Sequence, residues 1–358
     1  MNAKERYLAV FDENERYKLD RVPIHVQYIR EEFIEQHKTS LLNSHNGKLF
    51  SSDYYDVPFI LGFDAVFAPF PLSYKFRPIR ILTDQGIRVR VREDGQGFSQ
   101  KTSYYEGGYV ANLQILNELE ANVKDVDNSK NILKVFKYYQ ILESFIYPVM
   151  AVDGIFDRVW KAMGMTAFSR NFRQNSQLYR GLIKFYARLL EININGLIEA
   201  IGNGSKIVNI LDDVAFRGRT IISPERWEQD FLPYYKKINK IMSDAGLIPQ
   251  MHSDGDITEI IPSLQKAGFR GLQGWEGGAD PIYINDHFPD FVIIGFGDVS
   301  HILPFGTSEE VTKHVKDLMK ALKENRHFVI GPSTVIFKEI PLENVKAFIK
   351  AAKIYGKY

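Results

Sequence analysis

The chain has 358 residues, 45% of them hydrophobic and 13% aromatic, with a formal net charge of +1 and no cysteine. So near-neutral a balance gives no global field to recruit nucleic acid or an acidic membrane, and no apolar run reaches the roughly 20 residues of a membrane span. The absence of cysteine excludes disulfides, thiolate metal ligands and a cysteine nucleophile, and the charged start Met1-Asn2-Ala3-Lys4-Glu5-Arg6 is not a secretion signal, so a soluble cytoplasmic protein is expected.

In chain order, strands are expected at 22–27 and 63–68, the first reading Val22-Pro23-Ile24-His25-Val26-Gln27. Residues 77–110 then break the rhythm. Ile79-Arg80-Ile81-Leu82, a turn at Asp84-Gln85-Gly86, and Ile87-Arg88-Val89-Arg90-Val91-Arg92 predict a β-hairpin, with a second turn at Asp94-Gly95. Alternation puts Arg88, Arg90 and Arg92 on one face, where a solvated surface or an acidic partner fits. Residues 111–140 read as polar helices. From about 145 short apolar strands alternate with amphipathic helices, at 145–152, 206–212, 247–252, 270–275, 291–296 and 327–331. Helix starts are marked by Ser223-Pro224-Glu225, Thr307-Ser308-Glu309-Glu310 and Pro341-Leu342-Glu343-Asn344. Eight strands with intervening helices predict a single (β/α)8 TIM barrel over 1–358, carrying 77–110 as an N-terminal β-hairpin insertion.

The most informative segment is Gln250-Met251-His252-Ser253-Asp254-Gly255. Side chains alternate along a strand, so His252 and Asp254 share a side at its end, half of a metal site with a glycine that lets the backbone turn away. A loop histidine beside a helix-capping aspartate is the plainer alternative. Chemistry in a barrel sits at the C-terminal strand ends, and polar residues recur there: His25 and Gln27 with Tyr28, Asp212 and Asp213, Trp275 and Glu276, Asp298 and His301, Ser333 and Thr334. Metal ligands are expected from His252, Asp254 and Glu276, because neighbouring strand ends converge on one ion. His252 and Asp213 are the catalytic candidates. Gln27, Tyr28, Asp212, Trp275 and His301 are the candidates for binding substrate, against ordinary packing. No phosphate-binding glycine loop is present; Gly202-Asn203-Gly204 precedes a strand and reads as a helix stop.

Several phrases together resemble the uroporphyrinogen decarboxylase superfamily, in particular its cobalamin-dependent methyltransferase branch. They are Lys4-Glu5-Arg6 with Asp20-Arg21-Val22-Pro23, Gly154-Ile155-Phe156-Asp157, Asp212-Asp213 with Ile222-Ser223-Pro224-Glu225, His252-Ser253-Asp254-Gly255, Gly297-Asp298-Val299 through Phe305-Gly306-Thr307-Ser308-Glu309-Glu310-Val311, and Pro341-Leu342-Glu343-Asn344-Val345. The resemblance implies a (β/α)8 barrel. The decarboxylase's arginine-rich phrase after the first strand is replaced by Val26-Gln27-Tyr28-Ile29-Arg30-Glu31, which disfavours a tetrapyrrole acid as substrate. Branch members that methylate coenzyme M bind zinc through His-x-Cys and a later cysteine; here those places read His252-Ser253-Asp254 and the neighbourhood of Ser333-Thr334.

An imidazole and carboxylate site is harder than a sulfur site and more Lewis acidic toward oxygen. That departure from the branch points to the opposite half-reaction, demethylation of a small O-methyl compound, methoxylated aromatics among them, with zinc as the resident metal or, in the alternative, with His252 and Asp254 acting without metal and His252 as general acid. The acceptor implied is the Co(I) cobamide of a separate corrinoid protein, because no Asp-x-His-x-x-Gly cobalamin signature occurs in the chain. The alternatives are methyl transfer from a corrinoid protein to a thiol or pterin, and a non-catalytic ligand-binding barrel. The 77–110 insertion is a docking element or lid in one reading, and a structural cover or homodimer contact in the other.

Overall fold

The structure, a computed structural model, describes all residues except 44–51, 72–73, 76–78, 83–87, 92–95, 99–104, 126–128, 203–205 and 276. Eight parallel strands form one sheet in chain order: β1 (His25–Val26), β2 (Ala65–Pro69), β3 (Tyr147–Asp153), β4 (Lys206–Leu211), β5 (Leu247–Ser253), β6 (Gly271–Gly274), β7 (Val292–Gly297) and β8 (Phe328–Pro332). The first and last approach each other through parallel bridges at Ile24–Ile330 and Ile29–Ile336, which brings the sheet nearly to a closed barrel. The expected (β/α)8 architecture is what the chain forms.

Period-two alternation explains why buried residues fall into two clusters. Ala65, Phe67, Tyr147, Val149, Ile207, Val292, Ile294 and Val329 point inward and pack together. Val66, Ala68, Met150, Val208, Ile210, Met251, Leu272 and Ile293 point outward into the helices. The inner cluster is completed by Tyr7 and Phe11, from the first helix (Ala3–Ala9) and the turn after it. Asn2 and Glu5 cap that helix reciprocally, and Arg6 ties it under the barrel by bonds of 2.8 Å to both Asp20 and Asp64. The Tyr147 hydroxyl accepts the Ile207 N–H at 3.1 Å, at the start of β4. Aromatic rings thus fill the N-terminal end of the barrel.

The helices begin where their capping residues place them. Ser223 caps Pro224–Asp230, Thr307 and Glu310 form a capping box on Ser308–Leu322, and Pro341 precedes Leu342–Tyr355. Gly202 ends the long helix Gln177–Ile201 at φ +68°. Between β2 and β3, strands Ile79–Leu82, Arg88–Val91, Gln96–Phe98 and Tyr105–Gly108 form an antiparallel sheet, with Ile79 opposite Val91 and Leu82 opposite Arg88. The turns expected at 84–86 and 94–95 lie outside the described residues. The sheet packs beside helix Phe156–Met163, where Val110 N–H donates to the Ala162 carbonyl at 2.9 Å.

Candidate functional site

His252 is the penultimate residue of β5 and is buried, with 5% exposure. Its Nδ1 lies 2.6 Å from Gln273 Oε1, on the neighbouring strand β6. The orientation of that amide follows from its other end: Gln273 Nε2 faces the Ser333 carbonyl at 3.1 Å and the Pro332 carbonyl at 3.5 Å. Carbonyls only accept, so the NH2 must be there and the oxygen must face the imidazole. Nδ1 therefore carries its hydrogen, and Nε2 is the atom presented to the barrel mouth. A polar partner fixing one ring nitrogen is the arrangement that histidine metal ligands use.

Nε2 meets two carboxylates. Asp213 Oδ1 is 3.7 Å away and Asp254 Oδ1 is 4.0 Å away, and the three ligand atoms lie within 4.8 Å of one another. Two ligands of a tetrahedral ion with bonds of about 2 Å sit about 3.3 Å apart, so side-chain movements on the order of 1 Å close this set on a cation. Asp213 Oδ1 also accepts the Asp254 backbone N–H at 3.1 Å, and Ser253 Oγ accepts the Val214 N–H at 3.1 Å; these bonds knit the ends of β4 and β5 together. Gly255, at φ +88°, turns the chain away where an added Cβ would strike the Phe216 backbone at 2.7 Å. Both carboxylate side chains remain about one third exposed, at 36% and 35%, which leaves the mouth side of the set open.

Of the expected ligands, His252 and Asp254 come together and Glu276 lies outside the described residues. Asp213, expected as a catalytic residue, supplies the third donor. Asp212 faces the other way. Its carboxylate accepts the N–H groups of Phe156 (3.2 Å) and Asp157 (2.6 Å) and the hydroxyl of Tyr235, capping helix Phe156–Met163. That is a positioning role for Asp213, in place of the expected contact with substrate. Burial pushes the Asp212 carboxyl up to about 6, against the hydrogen bonds that favour its charge.

The remaining candidates surround the mouth. Trp275 is 3% exposed, donates from Nε1 to the Leu272 carbonyl at 3.1 Å, and stacks on Phe296 with centroids 5.4 Å apart. Gln27 accepts a bond from Thr334 at 3.1 Å, joining the ends of the first and last strands. Tyr28 lies farther out, in a groove with Glu31 and Tyr54. His301 is exposed beside Asp298, 3.5 Å from Nδ1 to Oδ2. Trp275, Phe296, His301 and Ser333 border one cavity of about 470 Å³.

Sequence reasoning missed Gln273, a lone amide in an apolar strand whose partner is 21 residues away. It also missed the pair Asp157 and Lys161, 2.5 Å apart on the helix that Asp212 caps. Burial opposes the charge on each, while Asp157 and Asp213 hold the Lys161 ammonium above its ordinary range. An Asp four residues before a Lys reads as an ordinary surface pair, so no signal marked it.

With this geometry in place, comparison with known proteins decides the family. The sequence model of the uroporphyrinogen decarboxylase (URO-D) family matches residues 97–355. The chain belongs to that family. A relative from Methanosarcina mazei, the methylcobamide:CoM methyltransferase MtbA, is 24% identical over 300 residues, covering 83% of this chain and 81% of its own length. MtbA from Methanosarcina acetivorans is 28% identical over 158 residues, 43% of this chain; the match spans 44% of that relative, less than half its length. A solved structure, a methyltransferase from Methanosarcina mazei, superposes with a TM-score of 0.69 at 18% identity, covering 99% of this chain and 98% of its own. That likeness is one of fold. The relatives agree with the methyltransferase branch to which the sequence phrases pointed.

Proposed function

We propose that this chain is a corrinoid-dependent methyltransferase that takes a methyl group from a small O-methyl compound and delivers it to the Co(I) cobamide of a separate corrinoid protein. The observation that carries the reading is the donor set: one oriented imidazole nitrogen and two carboxylates at the barrel mouth of a family member without cysteine. Such oxygen and nitrogen donors suit a hard Lewis-acidic ion acting on oxygen better than one activating a thiol. His252, Asp213 and Asp254 would hold zinc, which when bound supplies Lewis acidity toward an ether oxygen.

The residues themselves position and hold. Gln273 fixes the imidazole tautomer, Asp212 fixes the segment that carries Asp213, and the half-exposed carboxylates leave room for a substrate oxygen. In the transfer the C–O bond breaks and its electron pair stays on oxygen, which takes a proton. The methyl carbon gains its new bond from the cobalt electron pair, and Co(I) becomes Co(III). An aryl or alkyl oxide is a basic leaving group, so stabilising it is the catalytic task.

The test is incubation of the protein with Co(I) cobalamin and a panel of methoxy compounds, read by the absorption of methylcobalamin. Absence of methyl transfer from every O-methyl donor, with transfer from methylcobalamin to a thiol instead, would overturn the direction. That second reading draws on the relatives' printed activity toward CoM. For the metal, about one zinc per chain is expected, lost in His252→Ala and in Asp213→Asn; full zinc in both variants removes these residues as ligands.

A further inference from the structure

Resting on the proposed demethylation, we propose that the donor is an aromatic carboxylate, its ring against Trp275 and Phe296 and its carboxylate on Arg217. The cavity of about 470 Å³ beside the metal centre has the size of a small-molecule site. It touches the centre through Ser333, whose carbonyl anchors the amide that orients His252.

One wall is built by a repeated device. β6 ends in Gly274-Trp275 and β7 contains Gly295-Phe296, and the two pairs share a conformation: glycines at φ +134° and +129°, aromatics at φ +74° and +64°. Each glycine is forced by its neighbour, since a Cβ on Gly274 would lie 2.1 Å from the Ser253 carbonyl oxygen and one on Gly295 would lie 2.7 Å from that of Gly274. A bulky aromatic residue in the left-handed region is strained, and such strain concentrates at binding sites. Here the strained backbone delivers two stacked rings, nearly parallel at 13°, to the same cavity. A flat ring is the shape that fits such a wall.

The acidic and imidazole groups of the cavity wall have partners of their own. Asp298 accepts from the backbone N–H of Ser300 (2.8 Å) and of His301 (2.7 Å), and its second oxygen faces the His301 imidazole. His314 Nε2 lies 3.1 Å from the Phe296 carbonyl. Arg217 also borders the cavity, and its side chain has no ion pair or hydrogen bond among the described residues. It sits at the tip of a two-stranded hairpin, Ala215–Phe216 paired with Arg219–Thr220, that follows β4. Gly218 N–H donates to the Gly277 carbonyl at 2.9 Å, and Gly277 allows the approach, because a Cβ there would meet Arg217 at 3.2 Å. The hairpin is thus latched at the cavity with Arg217, unpaired among the described residues, on its border. A planar fork of donors beside a flat apolar wall matches a carboxylate on an aromatic ring.

The test is calorimetric titration of the full chain, without cobamide, with 3-methoxybenzoate, 3-methoxybenzyl alcohol and methoxyacetate. The benzoate is expected to bind at least tenfold tighter than either, and Arg217→Gln to weaken the benzoate at least tenfold while leaving the alcohol within twofold, which also shows the cavity intact. Equal binding of acid and alcohol, no binding of the benzoate, or an Arg217→Gln effect common to both ligands would overturn the assignment. Binding without methyl transfer would sink the transfer reading alone; transfer from the neutral ether in preference to the acid would sink this one alone.

Discussion

Gln273 decides which nitrogen of His252 faces the mouth, although it is itself wholly buried. Replacing it by Leu keeps the three donors but frees the ring to turn, and partners of this kind are worth about 10–100-fold in metal affinity. Chelator competition on Gln273→Leu should show a loss of that size; unchanged zinc affinity would mean the imidazole is oriented by packing alone. His252, Asp213 and Asp254 were legible because strand-end positions and period-two alternation are sequence properties. Gln273 was not, because its meaning lies in a bond across strands. His25 makes a different prediction. It is buried in the barrel between Tyr7 and Phe67, and burial, with His252 nearby, pushes its pKa down from 6.5 to about 3. The unfolded chain then binds a proton below pH 6.5 that the folded one refuses. The stability this group contributes is present above 6.5 and is lost as pH falls toward 3, about 2 kcal/mol of it by pH 5. In urea unfolding, the stability difference between the wild type and His25→Gln should shrink by about that amount from pH 7.5 to 5; a pH-independent difference would contradict a neutral buried imidazole.

At the scale of elements, all eight barrel strands fall where apolar runs and turn residues placed them, since strands buried on both faces are continuous apolar segments. β1 is the exception in length, two residues against the six expected at 22–27. Pro23 has no N–H to give, and the flanking pairs survive only as isolated bridges, Ile24 to Ile330 in the last strand and Ile29 to Ile336 beyond it. The paired Gly–aromatic turns after β6 and in β7 were invisible, because a glycine before an aromatic residue carries no mark of positive φ. They should be intolerant of change. Gly274→Ala places a methyl group against backbone at a φ alanine rarely adopts, and a loss on the order of 3 kcal/mol or more is expected in thermal unfolding. Gly202→Ala, with nothing within 4 Å, should cost about 1 kcal/mol. Equal costs would show that the crowding at Gly274 relaxes freely.

For the molecule as a whole, family membership and barrel agree with what the sequence phrases implied, and among the described residues no helix is long and apolar enough to cross a membrane. The site assembled from more distant pieces than the spacing suggested: Asp213 from the end of β4 stands beside His252 and Asp254. Sequence order puts them about forty residues apart, and only the parallel pairing of Leu211 with His252 makes them neighbours.

Tyr7, Phe11 and Tyr147 stopper the N-terminal end of the barrel, so the barrel is a vessel with one opening. For the transfer proposed here, a small donor and a bulky protein must share that opening, and the protein covers it once seated. The sequence of events is then compulsory: donor in first, demethylated product out last. Initial-rate kinetics would reveal this order. A corrinoid partner locked in an unreactive cobalt state should inhibit uncompetitively against the methyl donor, whereas a noncompetitive pattern would mean that the partner also seats on the empty barrel.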